Sequence, residues 1–356
     1  MTPLRIGITF NLRPTQRAAS ADKQTVPGRL DLPLDDDDEE FDSFETVSAQ
    51  AAVLEGLGHQ VELLGQSEAL LDRLLKGPRP DLVWNIAEGQ GRHRSREAQV
   101  PAVLEMLGIP YTGSDPLTLA TTLDKDCAKR LVAAHGVQTP HWIIYRGDWP
   151  SQRHELAALS FPVFVKPACE GSSKGILTSS VIEHSDELQQ VLTQLVEVYR
   201  QPVLVEEYIE GDELTVGLVG NDPAEILGVM RVLPSDAVAA RFVYSLEVKR
   251  DWRRQARYEC PAPLSGSDTA TVERAALACF AALGCRDVAR IDFRLRDGVA
   301  YFLEANPLPG LSPESGDLVI LSRLVGVEHR ELIARILQAA MERHALSNGQ
   351  AVAAQT

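Results

Sequence analysis

Cysteine is scarce in this chain, with five residues in 356. Cys127, Cys169, Cys260, Cys279 and Cys285 are odd in number and form no CxxC pair. That leaves out a disulfide framework and a zinc site, and points to a reducing compartment. Basic residues are outnumbered 35 to 50, and the formal charge of −15 argues against nucleic acid or an anionic membrane as the main partner. No apolar run reaches the length of a transmembrane helix, and the N-terminus lacks the basic-then-apolar form of a signal peptide. A soluble, cytoplasmic protein is therefore expected. No Gly-x-Ser-x-Gly elbow is present and no cysteine has a nearby histidine, so covalent hydrolysis finds little support. The P-loop signature is absent as well. His93, His135 and His141 share no metal spacing, and no internal repeat is visible.

What the chain does have is a 44% hydrophobic composition, enough for a sizeable core divided among two or three domains. Arg5–Phe10, Gln60–Leu64 and Asp81–Asn85 read as buried strands, separated by helices that begin at Phe44 and Ser67. This alternation predicts a parallel-sheet α/β domain over residues 1–115. Within it, residues 13–43 lose periodicity and carry the run Asp35-Asp-Asp-Asp-Glu-Glu40, the pattern of a solvated, mobile loop. A helix is also expected near Arg96–Leu107. A second region, 116–202, places helices near Lys125–His135 and Ser185–Tyr199 around a strand at Phe161–Lys166. A third, 203–345, is richer in strands: Val203–Glu207, Glu213–Val219, Ile226–Val232 and a final pair. Helices near Asp268–Leu283 and Glu328–Arg343 complete it, and residues 346–356 read as a frayed tail.

The final pair carries the most chemistry. Arg290-Ile-Asp-Phe293 is followed by Tyr301-Phe-Leu-Glu-Ala-Asn306, with a hairpin expected through Arg296-Asp297-Gly298. Side chains two apart share a face of a strand, so Glu304 and Asn306 point together and Asp292 can lie beside them. Two carboxylates and an amide carbonyl suit a hard cation such as Mg²⁺. Arg290 shares the face of Asp292, where its guanidinium can clamp a phosphoryl oxygen. The surrounding Ala289, Ile291, Phe293, Phe302 and Leu303 mark these as buried strands, where carboxylates need partners.

Three other segments could handle a nucleotide. Phe164-Val-Lys166 runs into Pro-Ala-Cys-Glu-Gly171-Ser-Ser-Lys-Gly175, whose glycines and the hydroxyls of Ser172 and Ser173 could face phosphates, although ordinary hairpins use the same residues. Glu206 and Glu213 flank the acidic stretch Glu207-Tyr208-Ile209-Glu210-Gly211. They read equally as a solvated turn or as acceptors for adenine and ribose. Asp124 can cap a helix that starts at Lys125; by itself Lys125 reads as a surface lysine.

Taken in order, these motifs resemble the ATP-grasp superfamily and, within it, the D-alanine–D-alanine ligases. The matching pieces are Leu107-Gly-Ile-Pro-Tyr-Thr-Gly-Ser114, Leu123-Asp-Lys125, Val165-Lys-Pro-Ala-Cys-Glu-Gly-Ser-Ser173, Glu206–Glu213, Arg290-Ile-Asp292 and Glu304-Ala-Asn-Pro-Leu-Pro-Gly310. The resemblance covers roughly Asp81 to Leu337. The resemblance implies a three-domain ATP-grasp fold, α/β and α+β, with an N-terminal parallel-sheet domain, a central lid and a C-terminal catalytic domain. It implies an ADP-forming ligase that joins a carboxylate to an amine through an acylphosphate, using ATP and two Mg²⁺ ions, with Mn²⁺ as an alternative. Lys125, Lys166, Ser172 and Ser173 would contact phosphates, Glu206 with the Glu207, Tyr208 and Ile209 backbone would hold adenine, and Glu213 would hold ribose. Asp292, Glu304 and Asn306 would bind metal. Arg290 and the Gly310 backbone would stabilise the tetrahedral centre, Ser315 would bind a carboxylate, and Lys249 would close over the phosphates on a mobile loop. The implied partners are small amino-acid or carboxylate substrates, with a homodimer left open.

Two departures from the family pattern bear on substrate. The turn after strand one, normally Gly-Gly-x-Ser-x-Glu with the Glu on the first substrate's ammonium, is here Phe10-Asn-Leu-Arg-Pro14. Arg250 stands where the mobile loop has Tyr, and Gly316-Asp317 replaces an apolar residue after Ser315. If Arg13 points inward, it would favour an anionic group. The expectation is a D-alanine–D-alanine ligase or a close relative with altered substrates, with a peptide-tailoring ligase and a non-catalytic nucleotide-binding protein as alternatives.

Overall fold

The computed structural model describes residues 2–14, 25–26, 30, 32–33, 36, 38–235 and 241–346. The tail from 347 and much of the loop 13–43, including Asp35 and Asp37, lie outside the described residues.

The chain opens with β1 (Arg5–Phe10), passes two short paired strands, β2 (Thr25–Val26) and β3 (Leu32–Pro33), and enters α1 (Phe44–Gly56). Ser43 caps α1 by accepting a hydrogen bond from the Thr46 amide. β4 (Gln60–Gly65), α2 (Ser67–Lys76), β5 (Leu82–Ile86) and α3 (Gln99–Met106) follow. The first sheet is parallel in the order β4-β1-β5, as the strand–helix alternation predicts. β5 is buried throughout and β1 after its first residue, which is why both read as continuous apolar runs.

α4 (Pro116–Leu123) and α5 (Lys125–Ala134) lead to the second sheet: β6 (Trp142–Tyr145), α6 (Trp149–Ala157), β7 (Val163–Pro167), β8 (Val181–Ile182), α7 (Ser185–Tyr199) and β9 (Val203–Glu207). Its order is β6-β9-β7-β8, all antiparallel. β9 sits in the interior of this sheet, so the layer draws on residues beyond 202. Conversely, Ala128 and Val132 of α5 pack into the core of the third sheet. The divisions between regions therefore follow packing rather than the breaks visible in the sequence.

The third sheet uses β10 (Asp212–Gly220), β11 (Ala224–Pro234), α8 (Leu246–Arg250), α9 (Trp252–Gln255), β12 (Ala256–Glu259), α10 (Gly266–Leu283), β13 (Val288–Arg296) and β14 (Val299–Asn306). Its order is β12-β11-β10-β13-β14, again antiparallel. β13 and β14 are joined through Asp297 (φ 51°) and Gly298 (φ 75°), both left-handed as a two-residue hairpin turn requires. α11 (Asp317–Leu324) and α12 (His329–Arg343) close the chain. Leu332, Ile333 and Ile336 of α12 pack with Ile6, Ile8 and Trp84, which fastens the C-terminal helix to the first sheet.

Candidate active site

The second and third sheets face each other across a cleft lined by side chains of both. Lys166, Ser173, Glu206, Glu207, Tyr208 and Ile209 line one wall; Glu213, Lys249, Arg290, Asp292, Arg294 and Glu304 are among those lining the other. Lys166 ends a buried strand, and its Nζ lies 3.1 Å from Glu206. The other Glu206 oxygen is 2.7 Å from Lys129, a fully buried lysine that also donates to the Phe302 carbonyl at 3.2 Å. Burial alone would push Glu206 up, but the two ammonium charges hold its carboxyl below the usual range. Burial pushes Lys129 down, against the pull of Glu206. Glu213 receives a 2.5 Å hydrogen bond from Arg294, whose guanidinium also stacks 5.3 Å from the Tyr208 ring.

On the hairpin, Asp292 pairs in register with Glu304, and Arg290 with Asn306, ahead of a bulge after Asp292. The bulge locally twists the strand pair next to these polar side chains. Asp292 accepts from Thr215 at 2.9 Å, from Arg290 at 3.0 Å and from Asn306 at 3.3 Å. Glu304 accepts no hydrogen bond among the described residues, and its nearest cation is Lys125 at 3.4 Å. Burial opposes its charge, yet Lys125, Lys166 and Arg290 together hold its carboxyl well below the usual range. An ionised carboxylate with unused lone pairs, beside a second carboxylate and an amide oxygen, fits Mg²⁺ by donor chemistry.

A second cleft opens behind the first, lined among others by Glu40, Glu88, Glu97, Lys125, Glu170, Ser172, Asn306 and Gly310. Lys249, Arg290 and Glu304 line both, so the clefts meet at these three side chains. Lys125 is buried, which corrects its reading as a surface lysine: Asp124 caps α5 as expected, and the Lys125 ammonium turns in to the Glu170 carbonyl.

The acidic run is also corrected. Its described residues are docked: Asp36 is buried and accepts from Tyr199 of α7 at 2.5 Å, Glu39 meets Arg250 at 2.6 Å, and Glu40 meets Arg96 at 2.7 Å. Glu40 also accepts from the Gly171 amide at 2.6 Å. Leu30 and Leu32 sit in the core of the second sheet. Six consecutive acids predict solvation only when no cations face them, and here Arg96, Lys174 and Arg250 do. Arg13 does not point inward: its guanidinium donates to the Phe41 and Glu39 carbonyls and is 44% exposed. Nor is Ser315 brought to the site; it is exposed, bonded to Ser312, and lines neither cleft. Asp317, two residues on, lines the first cleft and pairs with Arg290 at 2.8 Å.

Ser172 and Ser173 adopt left-handed φ of 48° and 58°, and the Ser173 hydroxyl donates to the Tyr244 carbonyl at 3.0 Å. Sequence reasoning missed Lys129, Arg96, Glu97 and Glu88. Lys129 was findable, since it lies one helical turn past Lys125 on the face that meets β14. The others lie in a stretch with no recognisable spacing.

A cleft between two antiparallel sheets, with lysines on one wall and the carboxylates of a β-hairpin on the other, goes with the class of ATP-dependent ATP-grasp ligases. Residues 131–338 match the family described as D-ala D-ala ligase C-terminus. An uncharacterized protein of Sinorhizobium fredii is 36% identical, the alignment covering 82% of this chain and 86% of that one. A D-alanine–D-alanine ligase of Synechococcus is 33% identical, over 86% and 91%. A D-alanine–D-alanine ligase structure from Bacillus anthracis, complexed with ATP, superposes with a TM-score of 0.69 at 23% identity, over 97% of this chain and all of that one. The chain belongs to the D-alanine–D-alanine ligase family. No helix among the described residues is long and apolar enough to cross a membrane.

Proposed function

We propose that this protein is an ADP-forming carboxylate–amine ligase that activates a small carboxylate as an acylphosphate and passes it to an amine. The observation that carries the reading is the shared wall of the two clefts, where Lys249, Arg290 and Glu304 serve both. A phosphoryl group leaving a nucleotide in the first cleft would enter the second at these side chains.

Glu207, Tyr208 and Ile209 would line the adenine, with Glu206 offering a remaining lone pair to its amino group and Glu213 accepting from the ribose. Lys166, Lys125 and the Ser172–Ser173 turn would hold the phosphates. Asp292, Glu304 and Asn306 would hold Mg²⁺, which when bound offsets charge on the phosphoryl oxygens. The substrate carboxylate attacks the γ-phosphorus and ADP departs. The amine then attacks the acyl carbon, and the bond to phosphate breaks with its electron pair going to the leaving oxygen. Arg290 and the Gly310 amide would stabilise the tetrahedral intermediate between these steps. Lys249 would shield the phosphates from water.

The test is ADP and phosphate release over a panel of amino acids of both hands that includes D-alanine, with the product identified by mass. One amide product per ADP is expected; ADP without any condensed product would overturn the reading. Glu304→Ala should lower turnover by at least about a hundredfold through loss of a metal ligand, and retained turnover would contradict its role.

A further inference from the structure

The second cleft holds more negative charge than its own cations balance. Glu40 and Glu170 are matched by Arg96 and Lys174, at 2.7 Å for Glu40–Arg96 and 2.7 Å for Glu170–Lys174, and Gln201 donates to Glu170 at 2.7 Å. That network is satisfied. Glu88 and Glu97 stand beside it and line the same cleft. Neither side chain has a hydrogen bond or ion pair among the described residues, although Glu97 is only 8% exposed. A buried carboxylate without a partner is costly, and it is found where a ligand supplies the missing charge. In the absence of one, burial and the neighbouring Glu40 push Glu97 up to about 8, so that it retains its proton.

The same cleft also carries cations. Lys125, Lys249 and Arg290 approach Glu304 there, at the junction with the first cleft. A substrate in this cleft thus meets cations where its carboxylate would be phosphorylated, and two carboxylates without a partner elsewhere on the same wall. An amino acid with one ammonium group would satisfy only one of them.

We propose that the acyl donor is a diamino acid, with its carboxylate at Lys125 and Arg290 and its two ammonium groups on Glu88 and Glu97. The proposal rests on the ligase reading above and specifies its first substrate.

Hydroxylamine as a generic acceptor isolates the donor half of the reaction. The intact enzyme is given ATP, Mg²⁺, hydroxylamine and either lysine or its uncharged isostere norleucine, each as both enantiomers, with shorter diamino acids and alanine alongside. Hydroxamate and ADP are then measured. The best diamino acid should exceed its neutral isostere in kcat/KM by at least about 30-fold, the worth of one desolvated charge pair. In Glu97→Gln and Glu88→Gln that ratio should fall by a similar factor, mainly through KM. Unfolding midpoints and binding of a non-hydrolysable ATP analogue confirm that each variant is folded. Preference for alanine or norleucine would overturn the proposal and leave the ligase reading standing. So would a glutamine variant that slows lysine and norleucine equally, because the carboxylate would then be merely structural. Absence of hydroxamate with every amino acid would overturn both.

Discussion

Lys129 shows how much of this site is set by a single buried charge. Its ammonium sits between Glu206 and the Phe302 carbonyl, with the Trp142 and Phe302 rings at 5.8 and 5.9 Å. Lys129→Met leaves Glu206 with Lys166 alone, and breaking a buried pair costs on the order of 3–5 kcal/mol. The expected result is a thermal midpoint lower by several degrees together with weaker nucleotide binding. An unchanged midpoint would show that Lys166 suffices. Glu97 makes the opposite prediction with pH. Its folded-state pKa of about 8 lies above the ordinary 4.5, so the native state holds the proton more tightly than the unfolded chain does. That contribution is complete below about pH 4.5 and is lost as pH rises through about 8. The unfolding midpoint should therefore decline between pH 6 and 8.5, and Glu97→Gln should flatten the decline; identical slopes would refute the assignment. Neither behaviour is legible in the sequence, because both depend on neighbours brought in from distant segments.

At the scale of elements, legibility follows how local the cause is. The β13–β14 hairpin is readable because Asp297-Gly298 dictates the turn and the two-residue period then aligns Glu304 with Asn306. The turn at Gly171–Gly175 is readable as a turn for the same reason, its Ser172, Ser173 and Gly175 all taking left-handed φ. The acidic run is not, since its partners are Tyr199, Arg96, Lys174 and Arg250, all remote in the chain. Its apparent solvation came from composition alone. The pair Glu39–Arg250 ties this segment to α8, the helix that carries Lys249. Arg250 is about one-third exposed, so the pair adds at most about 1 kcal/mol to stability. Its effect should appear in coupling. Arg250→Ala is expected to leave the unfolding midpoint nearly unchanged while raising the ADP released per product formed, measured by chromatography of both. A ratio equal to that of the wild type would show that the clasp has no part in excluding water.

For the molecule as a whole, the sequence conveys three layers but not how they interlock. β9 belongs to the second sheet, α5 serves the third, and α12 returns to the first. Asp287 is the clearest joint. Its fully buried carboxylate accepts from Arg343 at 2.6 Å, from the Gly113 amide at 2.8 Å and from Asn221 at 3.0 Å. Three stretches of chain more than a hundred residues apart or on different layers meet there, so no local pattern announces it. Arg343→Met strands that carboxylate and should destabilise the protein by roughly 3–5 kcal/mol. A urea titration followed by fluorescence would register the change as an earlier midpoint, and coincident curves would refute it.

Glu40 has a consequence for anyone redesigning this enzyme. The carboxylate that helps form the wall of the second cleft also grips the Gly171 amide, and a methyl group at Gly171 would lie 2.7 Å from its oxygen. If the Gly171 turn holds phosphates as proposed, the substrate wall and the grip on ATP share this one atom pair. A segment swapped in at residues 36–43 to change what is joined should then shift the nucleotide KM as well, so the two regions are best varied together.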